Sequence, residues 1–289
     1  MTGCEMLTFI RLFGVFFGDL VRDDNEYWLL YTLLHEIVLI CNSKCVPLYV
    51  TSVLEVLVKE HRALYMKLTS KQLKPKHHFL THYNRRLFSL LGPLGSLSTV
   101  RNEAKYKLVK NVANVCCSRR NLALTVAVKH QLALCYRFKC AQSVRPPFVV
   151  GPGTVVNLQR HDQFAVFSAT LPGPMPDNLS QFSPRWLEYL STTYKVGLFL
   201  VTGTDDSKCP EFSRIELMLT FDNEPLFICS PNHTLRFDGH VKAYVIKQMH
   251  YEPNWFSTKH RHLIDPFPLS AYRTANGNTV ISPRHILIL

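Results

Sequence analysis

Acidic residues are almost missing from the middle of this chain: between Glu60 and Asp162 the only carboxylate is Glu103, set among 18 lysines and arginines. Soluble surfaces ordinarily intersperse both signs. A stretch of one sign repels itself unless a polyanion lies against it, so the deficit points to a phosphate-rich partner. Long apolar runs are also lacking. No stretch reaches the roughly 18 apolar residues that span a bilayer, and the pattern gives no membrane partner. Met6 to Gly18 is apolar, but Arg11 interrupts it and no small-residue cleavage site follows, which argues against a secretory leader. A paired cysteine framework is lacking too. The nine cysteines are odd in number and mostly lie on helix-like apolar stretches, as expected of reduced thiols in a cytosolic or nuclear protein. The second half carries no Ser/His/Asp arrangement and no glycine-rich phosphate loop, and there is no internal repeat or low-complexity tract.

What is present is divided unevenly. The 289 residues carry a net charge of +12, all of it in the first half. Residues 1–150 hold 21 lysines and arginines against 9 acids, and residues 151–289 hold 12 against 12. The halves should therefore do different work.

Leu30, Leu33, Leu34, Ile37, Val38 and Cys41 recur at helical spacing behind the acidic Asp23-Asp24, which predicts a helix with acids at its favourable end. Pro47 opens a second helix with Val50, Val53, Leu54, Leu57, Leu64 and Leu68 on one stripe. A third apolar patch follows Lys74-Pro75. After the Gly92-Pro93 turn, Val100, Ala104, Leu108 and Val112 fall four apart, with Glu103, Lys107 and Lys110 on another face. A last helix, about Asn121 to Phe138, is apolar on most sides and is expected to be buried.

The segment Arg145-Pro146-Pro147 to Gly153 reads as a stiff linker. Beyond it the short β-branched and aromatic runs Phe164–Thr170, Lys195–Val201, Phe212–Thr220, Leu226–Cys229 and Val241–Lys247 suggest a small antiparallel sheet or barrel. Asn276-Gly277 signals a hairpin before Thr279–Ser282. The expected class is α+β: a helical basic segment at 1–143, a Pro/Gly-rich linker at 144–160, and a small antiparallel β module at 161–289. Histidines 233, 240, 250, 260 and 262 of that module read as surface or hairpin residues.

Two constellations could carry chemistry. A helical Glu103 beside Arg101, Lys105, Lys107 and Lys110 suits a ligand of a divalent cation held over a nucleic-acid backbone. The competing reading is an exposed i,i+4 pair of Glu103 with Lys107. Cys41, Cys45, His77 and His82, with His78 adjacent, have spacings that a zinc ion could use; against this, Cys41 fits the apolar stripe of its own helix. The candidate backbone-gripping cations are Lys74, Lys76, Arg85, Arg86, Arg101, Lys105, Lys107, Lys110, Arg119 and Arg120. Cys116 and Cys117 have no nearby base to activate them and read as packing residues.

The stretches LKPKHHFLTHY (Leu73–Tyr83) and GPLGSLSTVRNEAKYKLVKNVAN (Gly92–Asn114) resemble proteins derived from cut-and-paste DNA transposons of the CACTA (EnSpm) type. The opening from Glu5 to Val38, HQLALCYRF at His130–Phe138, and the C-terminal KVGLFLV, HVKAYVI and LIDPFPLSAYR extend the resemblance over nearly the whole chain. In those transposases, and more distantly in the catalytic subunit of the V(D)J recombinase, an RNase H-like domain holds metal with two aspartates and a late helical glutamate, preceded by a histidine pair. The resemblance sets His77 and His82 on the pair and Glu103, 21 residues after His82, on the glutamate.

The chain also departs from that pattern. It opens too close to the motif to contain the aspartate-bearing sheet, and Asp19, Asp23 and Asp24 lie in a loop before a helix. Asn102 stands where an aromatic is usual, and Tyr106 where a histidine is usual. The resemblance thus implies the C-terminal helices of a truncated transposase core, binding DNA in the nucleus through its phosphate backbone, without catalysis. The alternatives are an accessory module that pairs with a full-length transposase or with itself, and a Mg²⁺-dependent strand transferase whose aspartates come in trans.

Overall fold

The computed structural model describes residues 2–83, 87–97, 100–117, 120–140, 148–171, 180–221, 224–248 and 254–287, with the backbone alone at 89, 96, 100–105, 107–108 and 248. The chain is α+β, with helices first and an antiparallel sheet region after them.

Helix α1 (Gly3–Phe17) begins at a reciprocal cap: Thr2 Oγ1 accepts from Glu5 N at 3.3 Å, and Thr2 N donates to Glu5 Oε2 at 2.7 Å. Helix α2 (Glu26–Asn42) starts where the Asn25 side chain accepts from the amides of Tyr27 and Trp28. Its Leu33, Ile37 and Ile40 meet Val50, Leu54, Leu57 and Val58 of α3 (Val50–Thr69), and Phe88 closes that core. Much of the stripe the periodicity predicts is here, but Val53 is exposed, Leu30 and Leu34 line a neighbouring hollow, and Val38 faces a cavity on the other side.

Helix α2 also buries a second face. Trp28, Thr32, His35 and Leu39 turn away from α3, because α1 and the sheet occupy that side. Tyr31 ties the helices together, accepting from Gly14 N at 2.7 Å and donating to Ile10 O at 3.0 Å. α1 reaches the sheet through Val15, which packs with Val241, Ala243, Val245 and Val280. A β-carbon on Gly14 would lie 2.5 Å from the Val241 carbonyl oxygen, and one on Gly18 would lie 2.6 Å from a Val241 methyl. The two glycines let the helix come this close.

Helices α4 (Pro75–His82), α5 (Phe88–Leu91), α6 (Val100–Val115) and α7 (Leu122–Lys139) follow. Asn121 caps α7 by accepting from Leu124 N. The expectation that α7 is buried is corrected. It has no buried residue, and Leu124, Val128, Leu132, Tyr136 and Phe138 are exposed. Its neighbour is α6, and Lys129 Nζ donates to Cys116 Sγ at 3.4 Å.

The sheet region has strands β1 (Phe148–Val150), β2 (Gly153–Asn157), β3 (Ser180–Pro184), β4 (Trp186–Tyr189), β5 (Thr192–Lys195), β6 (Phe199–Thr204), β7 (Pro210–Phe221), β8 (Glu224–Asp238), β9 (Ala243–Gln248), β10 (Phe256–Lys259), β11 (Asp265–Leu269), β12 (Ala271–Arg273) and β13 (Thr279–Ile281). The largest sheet runs β11-β6-β7-β8-β9-β13-β12, with β10 paired to the first half of β8. Smaller sheets are β1-β4-β5 and β2-β3. The stretch 144–160, read as a linker, therefore carries two strands, β1 and β2. The Asn276-Gly277 turn joins β12 to β13 as the sequence indicates, with Gly277 at φ +81°.

The run Phe164–Thr170, expected as a strand, instead contains helix α8 (Phe164–Ser168). Three residues apart, Phe164 and Phe167 would point to opposite faces of a strand but share a helix face. Their rings meet at 5.6 Å, and Phe167 is fully buried against Leu158, Leu219, Leu226 and Ile228.

Candidate nucleic-acid interface

Lys74 and Lys76 are set by a break in the chain. Pro75 takes the first position of α4, where a missing amide hydrogen costs nothing. The Lys74 amide donates to His77 Nδ1 at 3.1 Å, and both lysines are exposed. Lys110 on α6 and Arg120 before α7 are exposed as well, as are Lys129, Arg137 and Lys139 on α7. Arg101, Glu103, Lys105 and Lys107 fall on the helical backbone of α6, with side chains outside the described residues. Arg85, Arg86 and Arg119 lie outside them entirely.

Beside Lys76 is a hollow of about 500 Å³ lined by Tyr27, Tyr31, His61, Tyr65, Lys76 and His77 among others. The Tyr65 and His77 rings are 4.7 Å apart, and His61 lies 6.3 Å from His77 with its plane tilted 23°. Burial, and then the neighbouring His77, lower the His61 pKa. Such a wall offers aromatic faces next to a cation.

The four candidate zinc ligands do not come together. Cys41 packs on the α2–α3 core, where burial pushes its thiol up to about 12, while Cys45 is exposed. His77 turns to Tyr65, and it is His78 whose Nε2 sits 3.0 Å from Nε2 of His82. Among the described residues no three histidine, cysteine or acidic side chains gather as metal ligands. All nine cysteines are free thiols, Cys116 buried and Cys117 exposed.

Asp19 and Asp23 contact the C-terminal half of the chain, and Asp24 pairs locally with Arg22. Asp19 accepts from Asn276 N at 2.8 Å, Asp23 Oδ1 lies 3.1 Å from His240 Nδ1, and Asp24 pairs with Arg22 at 2.8 Å. These carboxylates do not fit the divalent-ion centre of a transposase, and no step through a metal follows from them.

The chain matches no family model, no curated protein and no solved structure. An α+β fold by itself carries no activity, and none of the helices among the described residues is long and apolar enough to cross a membrane.

The sequence marks His240 and His260 as surface or hairpin residues; His240 does lie in the β8–β9 hairpin turn, but the contacts of both rings are not foreseen. His240 Nε2 faces the carbonyls of Gly18 and Val21 at 2.9 and 3.0 Å, and its ring lies 5.1 Å from that of Trp28. His260 sits 4.9 Å from the Tyr189 ring and 6.0 Å from that of Tyr194, and burial lowers its pKa. His250 is outside the described residues. The available signal for the first contact was Gly14 and Gly18, one helical turn apart in an apolar segment, which mark a close approach to α1. Nothing local marks Arg11, His35, Lys44, Arg284 and His285, which line one cavity from distant parts of the chain.

Proposed function

We propose that this is a transposase-derived nucleic-acid-binding protein whose basic helical segment grips phosphate backbone, without strand-transfer chemistry of its own. The observation that carries the reading is the exposed set Lys74, Lys76, Lys110, Arg120, Lys129, Arg137 and Lys139, in a stretch with a single acid. Cations so placed release condensed counterions when they meet phosphates, which supplies sequence-independent affinity. The tyrosine and histidine hollow beside Lys76 adds faces on which an unpaired base could stack. A strand-transfer centre needs carboxylates that Glu103 alone does not supply, and the nearby aspartates are engaged elsewhere.

The test is binding of the full chain to random duplex DNA across a salt series. Affinity should fall steeply and linearly on logarithmic axes, and should weaken when Lys74, Lys76, Lys110 and Arg120 are reversed to glutamate. Affinity independent of salt, or untouched by the reversals, refutes the reading.

A second reading, a module that pairs with a transposase or with itself, has its own support. Leu124, Val128, Leu132 and Tyr136 recur every fourth residue on α7 and are exposed, as a helix face awaiting a partner would be. Sedimentation of the full chain, alone and after Val128→Glu with Leu132→Glu, tests self-association.

A further inference from the structure

A cavity of about 250 Å³ lies where α1, α2 and the residues after β13 meet. Its wall holds Arg11, His35, Asn42, Lys44, Arg284 and His285. His35 is only 1% exposed, and neither of its ring nitrogens makes a well-formed hydrogen bond, the Arg11 backbone being a polar neighbour of the ring. Arg11 Nε is likewise buried without an acceptor. At the rim, Lys44 Nζ stands 4.1 Å over the Phe267 ring, and the Arg284 guanidinium carbon lies 5.6 Å from the same ring. One Arg284 nitrogen donates to the Pro268 carbonyl at 3.0 Å.

The charge around this cavity is out of balance. Among the described residues Arg11, Lys44 and Arg284 make no close ion pair, although Lys44 and Arg284 act through their charge on the buried Asp265 carboxyl, whose Oδ2 has no hydrogen-bond partner. The acid beneath them, Asp265, is 2% exposed, and its Oδ2 lies 3.6 Å from His285 Nε2. Burial raises the Asp265 pKa, against the pull of His285, Arg284 and Lys44. Burial first, and then Arg284, lower that of Arg11. Buried donors and charges without partners cost free energy unless a ligand satisfies them. Arginine and lysine together are the usual grip on phosphate oxygens.

We propose that this cavity is a binding site for a phosphomonoester group, held by Arg11, Lys44 and Arg284 with the His35 and His285 rings turned to its oxygens. A phosphomonoester matches three cations with about two negative charges and presents three strong acceptor oxygens. The cavity has room for a small organic remainder lined by Leu7, Val38 and Leu39. The group could be carried by a small metabolite or by the 5′ end of a nucleic acid strand, and the chemistry of the grip is the same. None of the three cations belongs to the set proposed to grip nucleic-acid backbone, so the two proposals fail separately.

The experiment is titration of the full chain with inorganic phosphate, then with phosphoserine, and then with a short single strand carrying either a 5′ phosphate or a 5′ hydroxyl. Phosphorus NMR and calorimetry follow binding. Saturable phosphate binding is expected, weakened at least tenfold by Arg11→Gln and by Arg284→Gln, and unchanged by Lys74→Glu with Lys76→Glu. Arg284 is exposed, so its variant tests the site even if Arg11→Gln fails to fold, with circular dichroism as the check. A preference for the 5′-phosphate strand that is lost in Arg284→Gln assigns a nucleic-acid end. Equal binding of both strands, with phosphoserine bound more tightly than inorganic phosphate, assigns a small phosphomonoester. No saturable phosphate binding, or binding that Arg284→Gln leaves intact, overturns the proposal.

Discussion

The indole N–H of Trp28 donates to the backbone carbonyl of His240 at 3.1 Å, joining α2 to the β8–β9 turn across 212 residues of chain. The His240 ring packs on Trp28 and sets its nitrogens toward Gly18, Val21 and Asp23. Lys242, also in that turn, pairs with Glu36 of α2. This turn is one of the places that join the N-terminal helices to the sheet, beside the packing of Val15 on Val245 and Val280 and the Asp19 contact with Asn276. Trp28→Phe keeps the apolar body but strands the carbonyl, and should cost about 1–3 kcal/mol. His240→Ala removes the ring's contacts with Trp28, Gly18, Val21 and Asp23 and should cost more. Urea denaturation read by far-ultraviolet circular dichroism checks both; equal midpoints for His240→Ala and the parent would show that the helices hold to the sheet by other means.

Gly14→Ala tests how tightly α1 is pressed on the sheet. The added carbon would lie 2.5 Å from a backbone oxygen that cannot swing aside, so overpacking should cost about 1–3 kcal/mol, although alanine is the better helix former. Gly239→Ala, where a β-carbon meets nothing within 4 Å, is the matched control and should be close to neutral. A stabilised Gly14→Ala protein would mean that α1 and Val241 are not in contact.

Leu54→Ala probes the α2–α3 core. Leu54 is wholly buried among Leu33, Ile37, Ile40 and Val58, and truncation of a leucine in such a site costs about 2–5 kcal/mol. Val53→Ala, one residue away but exposed, should change stability by no more than about 0.5 kcal/mol. Similar losses at the two positions would contradict the helix register.

Stability should fall in mild acid because of His35. Burial is the largest of the causes that push its pKa down to about 4; Lys242 and Arg11 act the same way through their charge, while Glu36 and the Arg11 backbone pull upward. An unfolded histidine titrates near 6.5, so between the two values the unfolded chain binds a proton that the fold refuses. The stabilisation is complete above about pH 6.5 and drains as pH drops toward 4, by up to roughly 3 kcal/mol. His35→Gln should flatten the difference in urea midpoint between pH 7 and pH 4.5, measured in phosphate-free buffer. An unchanged difference would place the acid sensitivity elsewhere.

Charge reversal on the basic helices should read out as salt dependence. Lys74→Glu with Lys76→Glu removes two exposed cations from α4. If both meet phosphates, the slope of log affinity against log salt should lose about two units, roughly one per contact. Loss of affinity with an unchanged slope would indicate a folding defect.

Local rules were enough for the sequence to determine several elements of this protein. Helical periodicity located α2, α3, α6 and α7, and Asn276-Gly277 turned β12 into β13, because each depends on residues a few positions apart. The α+β order and the single-signed middle of the chain were equally legible. What lay beyond those rules depended on contacts made across the molecule. Phe167 was drawn into a helix by the pocket it fills, and α7, whose main neighbour is α6, buries none of its residues. His240 became a clasp, and His77 parted from His82 to lie tilted against Tyr65. Arg11, His35, Lys44 and Arg284 share a cavity only because α1 and the end of the chain close over α2. Sequence spacing carries no record of that closure, which follows from apolar burial and the fit of two glycines against one valine.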